Sequence, residues 1–282
     1  MIKIINSIKN NKIVSVLIIT IAVLFVILIS IIPVVFKKDD EPEIPEEIIE
    51  VETGIDYTKI INNDGKYSYE DDEFTSLFGI DIAEFQDEID WNKVKDEKID
   101  FIYIRIGRRG ATEGQLYFDT EFENYYKGAL ATGAKIGVYF FSQAINEEEI
   151  KEEVKFIVDN IKDKKIDLPI GYDCEDVWFL DDEPRTANLT KEDYTNLAKC
   201  FLKECNKQGY KSILYTYPYW AENNINMEEL TDYPLWFAHY DVDEPNCEYP
   251  IYIWQYSETG KINGISKEVD MNIMFIEKNN DE

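Results

Sequence analysis

A long hydrophobic stretch dominates the start of the chain. Residues 13–36 carry no charge and are almost all apolar, which is enough for a helix that crosses a hydrocarbon core of about 30 Å. We predict a transmembrane anchor over residues 13–36, preceded by a short cytoplasmic segment over residues 1–12. A cleaved signal peptide is the alternative, but its apolar core is usually about 7–15 residues long and ends at a small-residue cleavage site. The sequence shows neither feature.

The charges beside this stretch predict its orientation. Lys3, Lys9 and Lys12 precede it, whereas Lys37 and Lys38 are followed at once by acidic residues. Lysine and arginine accumulate on the cytoplasmic side of membrane helices. We therefore expect a single-pass protein of the cell membrane, with a cytoplasmic amino terminus and an extracellular remainder.

The next segment has no sustained hydrophobic period. Residues 37–76 contain 14 acidic and 4 basic side chains, with prolines among the first of them. Chains of this composition repel themselves and bury little apolar surface. We predict an acidic flexible linker over residues 37–76.

From residue 77 onwards, short apolar runs alternate with amphipathic segments, a pattern typical of a β/α domain with a mainly parallel sheet. Helices are expected over residues 146–163, where Asn146 can cap, and over 190–208, which Gly209 ends. The last three strands are joined by segments too short for long helices. The sequence therefore predicts a domain over residues 77–282 of the α/β class, an irregular TIM-like barrel of type (β/α)5(β)3. The eight strand-like runs are 78–83, 99–106, 135–141, 168–173, 212–217, 235–240, 251–256 and 269–274.

Composition excludes several classes of function. The formal net charge of −28 disfavours a nucleic-acid partner, because phosphate backbones are bound by clustered lysine and arginine. Four cysteines without Cys-x-x-Cys spacing and a single histidine disfavour a zinc site, and we predict neither a metal nor a cofactor. The cysteines leave an extracytoplasmic disulfide open, with three conceivable pairings.

Acidic residues stand where the predicted strands end. Asp173 and Glu175 follow an apolar strand and, two positions apart, project to one side. Asp81 lies between isoleucines in the first strand and Asp270 lies in the last, and these two strands are neighbours in a closed barrel. The plainer interpretation is that such acids are simply solvated. Their convergence instead predicts paired carboxyls whose proton affinities are pushed apart.

Eight stretches in this order resemble glycoside hydrolase family 25, the Chalaropsis-type lysozymes, over roughly residues 78–276. They are GIDI at 79–82 with Gln86 and IDW at 89–91, FIYIRIG at 101–107, Asp119 with Phe122, GVYFFS at 137–142, DCE at 173–175, LWFAHY at 235–240, WQYS at 254–257 and VDMN at 269–272.

The resemblance implies cleavage of the β-1,4 bond between N-acetylmuramic acid and N-acetylglucosamine in peptidoglycan glycan strands. Glu175 matches the general acid, and Asp173 matches the carboxylate that orients the N-acetyl group of the substrate, which makes retention the expected outcome. Asp81 and Asp270 match supporting acids of the cleft.

Aromatic and amide side chains near these acids are the candidates for sugar binding. They are Tyr139, Trp236, Tyr240, Trp254 and Gln255. Core packing is the alternative for both tryptophans and for Tyr139, and we expect structural roles for His239, Arg105 and Arg185.

The predicted protein is thus a muramidase tethered to the membrane for local wall remodelling. Two alternatives remain: a wall-binding scaffold that has lost activity, and a hydrolase of another N-acetylhexosamine polymer such as chitin.

Overall fold

The computed structural model describes residues 54–177 and 182–278. The strands are β1 (Ile61–Asn63), β2 (Lys66–Ser68), β3 (Phe74–Ile82), β4 (Phe101–Arg109), β5 (Leu116–Phe118), β6 (Lys135–Phe141), β7 (Ile170–Asp173), β8 (Ser212–Thr216), β9 (Leu235–Ala238), β10 (Ile253–Gly260) and β11 (Val269–Glu277). The helices are α1 (Trp91–Asp96), α2 (Phe122–Thr132), α3 (Glu147–Ile161), α4 (Lys191–Lys207) and α5 (Pro218–Asn223). Within the described residues, an α-helix precedes each next strand of the large ring from β3 to β9, and β9, β10 and β11 then follow one another without a helix between them.

The large sheet closes into a barrel. Its strand order is β3-β11-β10-β9-β8-β7-β6-β4, and a further pairing of β3 with β4 completes the ring, while β5 pairs outside it on the edge of β4. Ring pairings are parallel except those of β11, which runs antiparallel to both β10 and β3. Each of β3, β4, β6, β7 and β8 is followed by a helix before the next ring strand. The predicted α/β barrel is therefore confirmed, including its five β/α units and three closing strands.

The helix ends follow from local side-chain chemistry. The Asn146 side chain accepts a hydrogen bond from the Glu149 N–H at the start of α3, and the Thr190 side chain accepts one from Asp193 N–H at the start of α4. Gly209, just beyond α4, has φ of +85°. These caps satisfy backbone groups that a helix cannot pair internally, and they bear out both predicted helices.

Large rings fill the inside of the barrel. Phe101, Tyr103 and Trp236 are fully buried there. A Cβ at Gly137 would lie 2.4 Å from the Tyr103 ring and one at Gly79 would lie 2.3 Å from the Phe101 ring, so glycines make the space that these rings occupy. The result is a rigid aromatic floor below the mouth of the barrel.

Residues 54–76, which we assigned to the flexible linker, are folded in the part of the chain that the structure describes. Strands β1 and β2 form a hairpin whose turn residues, Asp64 and Gly65, have φ of +54° and +84°, a geometry that Asp-Gly favours. Tyr67 of the hairpin stacks on Tyr256 of β10 with ring centroids 4.0 Å apart. The predicted boundary at residue 77 is thus wrong, because β3 already begins at Phe74 and the hairpin packs on the barrel.

The predicted cytoplasmic segment, membrane anchor and first part of the linker lie outside the described residues. Among residues 54–177 and 182–278, no helix has the length and apolar character needed to cross a bilayer.

Candidate active site

Four carboxyl groups meet at the carboxyl-terminal mouth of the barrel. Asp81 of β3 and Asp270 of β11 are direct register partners on neighbouring strands. Asp173 is the last residue of β7, and Glu175 follows two positions later. The predicted convergence of these four acids is what the structure shows.

Asp81 is held by two amide groups. Gln255 Nε2 and Asn272 Nδ2 both donate to Asp81 Oδ2, at 2.7 and 2.8 Å. Gln255 Oε1 in turn accepts from the hydroxyls of Tyr215 and Tyr240, at 3.0 and 2.5 Å. Both ends of the Gln255 amide are therefore occupied, which fixes the direction of its N–H groups towards Asp81.

The second amide is anchored from the barrel floor. Trp236 Nε1 donates to Asn272 Oδ1 at 2.8 Å, so the Asn272 Nδ2 group also points towards Asp81. Hydrogen bonds from fixed donors favour the charged form of Asp81 and oppose the effect of its burial, which raises its pKa.

Asp81 and Asp270 are hydrogen-bonded to each other and behave as a pair. Burial, and then the nearby charge of Asp81, raise the pKa of Asp270 to about 9. Two neighbouring carboxylates cannot both ionise cheaply in a desolvated site. Asp270 therefore keeps its proton to higher pH than an exposed carboxyl does, and the two amide donors favour Asp81 as the charged member of the pair.

Asp173 and Glu175 form a second hydrogen-bonded pair. Burial raises the pKa of both, and the charge of Glu175 raises that of Asp173 further. The remaining oxygen Asp173 Oδ1 is buried without a hydrogen-bond partner among the described residues. This pair also retains a proton at a pH where exposed carboxyls have lost theirs.

The backbone around this pair is fixed from below. Gln143 Nε2 donates to the carbonyl oxygen of Glu175 at 2.8 Å, and the Ser142 N–H donates to the carbonyl oxygen of Asp173 at 2.7 Å. Such supports hold the two carboxyls in place without contacting a substrate.

Two cavities flank the acids. One, of about 760 Å³, is bounded by Tyr215, Tyr217, Pro218, Tyr219, His239 and Tyr240. The other, of about 640 Å³, holds Asp81, Phe85, Arg105, Arg108, Tyr139 and Asp173. Glu175 and Asp270 border both cavities. The acids therefore stand at the centre of a cleft with a cavity on either side.

The predicted sugar-binding residues divide into two groups. Tyr139 and Tyr240 border the cleft, whereas Gln255 is 2% exposed and acts on Asp81. Trp236 is buried in the floor. Trp254 is also fully buried, packs on the outer side of the barrel against Tyr57 and Tyr67, and donates to the His239 carbonyl. The prediction of sugar contact is wrong for both tryptophans, because neither ring reaches the cleft.

The three residues expected to be structural form hydrogen bonds or ion pairs within the fold. His239 Nδ1 accepts from the Asn246 N–H at 3.0 Å. Arg105 pairs with Asp119 at 2.8 Å and with Glu84 at 3.0 Å, and Arg185 pairs with Glu149. All four cysteines lie within the described residues and are free thiols, so none of the three disulfide pairings is present.

Sequence reasoning missed several residues of the cleft. Asn272 could have been predicted as a residue of the site, since it shares a face of the last strand with Asp270. Phe85, Arg108, Tyr215 and Tyr217 carry no comparable signal, because their position depends on loops and on the depth of each residue in the barrel.

A barrel with paired acids at the carboxyl ends of its strands is typical of a glycoside hydrolase. The family model for glycosyl hydrolases family 25 matches residues 80–265. The chain is 30% identical to the autolytic lysozyme of Clostridium acetobutylicum over 193 residues, which are 68% of this chain and 54% of that protein.

Two solved structures share the fold. The modular autolysin LytC from Streptococcus pneumoniae, in complex with a synthetic peptidoglycan ligand, has a TM-score of 0.64 and 22% identity over 77% of this chain and 52% of that one. A family 25 glycosyl hydrolase from Bacillus anthracis has a TM-score of 0.57 and 22% identity over 70% and 88%. The chain spans about half the length of the clostridial and pneumococcal proteins.

The chain belongs to glycosyl hydrolases family 25. The resemblance drawn from eight short motifs is therefore confirmed.

Proposed function

We propose that this protein is an N-acetylmuramidase, a lysozyme that cleaves the β-1,4 bond between N-acetylmuramic acid and N-acetylglucosamine in peptidoglycan. The observation that carries the proposal is the hydrogen-bonded Asp173–Glu175 pair, which borders cavities on both sides. Lysozymes among its relatives support the same substrate class.

In the proposed mechanism, the acetamido N–H of the bound substrate favours the charged form of Asp173, so the proton of the pair lies on Glu175. Glu175 protonates the glycosidic oxygen as the bond to the anomeric carbon breaks. The N-acetyl oxygen of the muramyl sugar attacks that carbon, and Asp173 accepts a hydrogen bond from the acetamido N–H and stabilises the positive charge. Glu175 then takes a proton from water, which opens the ring intermediate. Two displacements at one carbon retain its configuration.

The supporting acids have a separate role. Asp81, ionised and fixed by Gln255 and Asn272, supplies negative charge near the developing oxocarbenium ion. Preorganised charge of this kind needs no rearrangement during the reaction. Asp270 shares a proton with Asp81, so the cleft is less negative than it would be with four ionised carboxylates.

The test uses the full-length chain and purified peptidoglycan, with wild type beside Glu175→Gln and the exposed-surface control Glu192→Gln. We expect wild type and Glu192→Gln to release fragments that end in reducing N-acetylmuramic acid, identified by mass, and Glu175→Gln to lose activity by at least a thousandfold. Fragments that end in N-acetylglucosamine would overturn the muramidase assignment. Wall binding without release at any pH from 4 to 8 would favour the scaffold, and faster cleavage of chitin would favour the other polymer.

The stereochemistry is tested separately. Proton NMR during the first minutes of turnover should show the β-anomer of the new reducing end before mutarotation. Initial formation of the α-anomer would mean that water attacks directly.

We also propose that the protein is tethered to the cell membrane by residues 13–36, with the hydrolase domain outside for local wall remodelling. The apolar length of that stretch and the lysines before it support this. The full-length protein should stay in the membrane pellet after carbonate extraction at high pH, and protease added to intact cells should digest its carboxyl-terminal domain. Release into the supernatant by carbonate would contradict the tether.

A further inference from the structure

The cleft contains an arginine that the reaction does not use. Arg108 lies near the end of β4 and borders the cavity that holds Asp81 and Asp173. Its guanidinium carbon lies 4.6 Å from the centre of the Tyr117 ring. Stacking of this kind orients the planar fork of an arginine.

This arginine has no ionic partner within residues 54–177 and 182–278, although the chain carries 57 acidic and 29 basic side chains. The other arginines, Arg105, Arg109 and Arg185, all form ion pairs. Glu84 and Glu113 feel the charge of Arg108, but each is committed elsewhere: Glu84 accepts from Thr120 and pairs with Arg105, and Glu113 accepts from Thr112. An unpaired, oriented guanidinium in a cleft is suited to an anionic ligand.

An exposed ring stands beside this cation. Phe85 is 65% exposed and borders the same cavity. The Arg105 guanidinium supports it from one side, with its central carbon 4.7 Å from the ring centroid. An exposed ring inside a cleft presents an apolar surface on which a ligand can pack, and here that surface lies next to a positive charge.

The strand register sets the reach of Arg108. Arg108 pairs with Phe141, and Phe141 pairs with Asp173, on three neighbouring strands. Two strand spacings separate the Arg108 and Asp173 backbones by about 10 Å. A sugar whose N-acetyl group meets Asp173 would therefore hold a substituent on its next ring carbon within reach of Arg108.

We propose that Arg108, beside Phe85, recognises a carboxylate carried by the muramyl sugar and thereby selects muramyl glycan over neutral N-acetylhexosamine polymers. The inference rests on the proposed function, which puts the muramyl sugar at Asp173. The carboxylate is that of the lactyl group or that of the peptide attached to it, and the two share the same chemistry.

The test compares selectivity between substrates for wild type, Arg108→Gln, Arg108→Lys and the control Lys135→Gln, all in the full-length chain. Lys135 is exposed at the opposite end of the barrel, where β6 begins. Lys135→Gln therefore changes the net charge by the same amount as Arg108→Gln but at a site away from the cleft. The substrates are amidase-stripped glycan with free lactyl carboxylates, intact peptidoglycan, and each of these with its carboxylates converted to methylamides.

We expect wild type to prefer a free carboxylate to its methylamide by about tenfold or more in kcat/KM, although the net charge of −28 alone predicts the opposite preference. Arg108→Gln should abolish the preference, Arg108→Lys should keep part of it, and Lys135→Gln should keep all of it. A preference confined to stripped glycan identifies the lactyl group, and one confined to intact peptidoglycan identifies the peptide. Equal losses on free and blocked substrates, or no wild-type preference, would overturn the proposal.

Failure of the proposed function is separately visible. In that case wild type hydrolyses none of the four substrates. The role of Arg108 is then tested by calorimetry, which measures how tightly the stripped glycan and its methylamide bind. The two proteins compared are Glu175→Gln and Glu175→Gln/Arg108→Gln. Loss of the binding difference on removal of Arg108 supports carboxylate recognition, and an unchanged difference refutes it.

Discussion

The side-chain amide of Gln255 donates directly to the carboxylate of Asp81, with Nε2 2.7 Å from Oδ2 across 174 positions of sequence. The other end of the amide accepts from Tyr215 and Tyr240, so rotation of Gln255 would break three hydrogen bonds. A buried network with every member paired holds one geometry. The Asp81 carboxylate is therefore held in a fixed orientation.

Gln255→Glu tests this network with little change in volume. The substitution removes the donor and sets a second carboxylate against Asp81, so we expect kcat to fall at least about tenfold and the free energy of unfolding to fall by about 1–3 kcal/mol at pH 7. Steady-state kinetics and urea unfolding provide the two measurements. Gln115→Glu, at an exposed site whose side chain makes no hydrogen bond within the described residues, makes the same replacement and should change neither. Wild-type kinetics for Gln255→Glu would show that the amide does not position Asp81.

Asp176 should shift the alkaline limb of the pH–rate profile to higher pH. Burial raises the pKa of Glu175, and the charges of Asp81 and Asp176 raise it further, so Glu175 keeps its catalytic proton to higher pH than an exposed glutamate. Asp176→Asn removes one negative charge and lowers the pKa of Glu175. The alkaline limb of kcat/KM should therefore move to lower pH, while the exposed control Asp159→Asn leaves it in place. A limb that moves to higher pH, or not at all, would count against Glu175 as the acid.

Asp270 should make the fold less stable as pH rises. Its pKa is about 9 in the folded protein against an ordinary value of 3.8, so between these values the folded state binds more protons than the unfolded state. The contribution of this group to the free energy of unfolding is greatest below about pH 4 and is lost as pH rises towards 9.

Asp270→Asn removes this dependence. Between pH 5 and 9 we expect wild type to lose on the order of 2 kcal/mol more than the variant, as measured by denaturant unfolding at each pH. Asp243→Asn, in an exposed loop, should follow wild type. Parallel curves for Asp270→Asn and wild type would disprove the assignment of the bound proton to this pair.

The hairpin before the barrel should stabilise it without contributing to the chemistry. Tyr67 stacks on Tyr256, and its N–H donates to the Tyr256 hydroxyl at 3.2 Å. Tyr67→Ala should lower the free energy of unfolding by about 2–3 kcal/mol and leave kcat/KM near the wild-type value. Tyr67→Phe keeps the ring and should lose little, as should Ile61→Ala at an exposed site of the same hairpin. Equal losses for Tyr67→Ala and Ile61→Ala would mean that the hairpin is not docked in solution.

Periodicity carried most of the fold prediction. Apolar runs of strand length and the amphipathic stripe of α3 are local signals, and the acids at strand ends stand out because a buried strand rarely ends in them. Trp254 and Gln255 show that such signals do not identify which side of the barrel a strand residue faces. Adjacent residues of a strand face opposite sides, so only one of the two can face the barrel interior, and there Gln255 donates to Asp81.

The sequence does not specify how deep a side chain lies in the barrel or how neighbouring strands are registered. Trp236 faces inwards but lies below the mouth, where its N–H meets Asn272. The register of β4 against β6 shifts between Arg105 and Gly107, and this irregularity precedes Arg108 on the strand. The folded hairpin was readable from Asp64-Gly65, but the acidic composition around it favoured a linker.

The contact between the hairpin and β10 also bears on how the chain folds. Tyr67 and Tyr256 are 189 residues apart, and β3 takes one of its two ring neighbours from β11, the last strand described. Contacts between distant segments cost loop-closure entropy before they return any stabilisation, which slows folding. Strand β3, the first strand of the ring to be synthesised, must therefore wait with one edge unpaired until β11 has left the ribosome. Exposed edges of this kind are where chaperones bind and where aggregation begins.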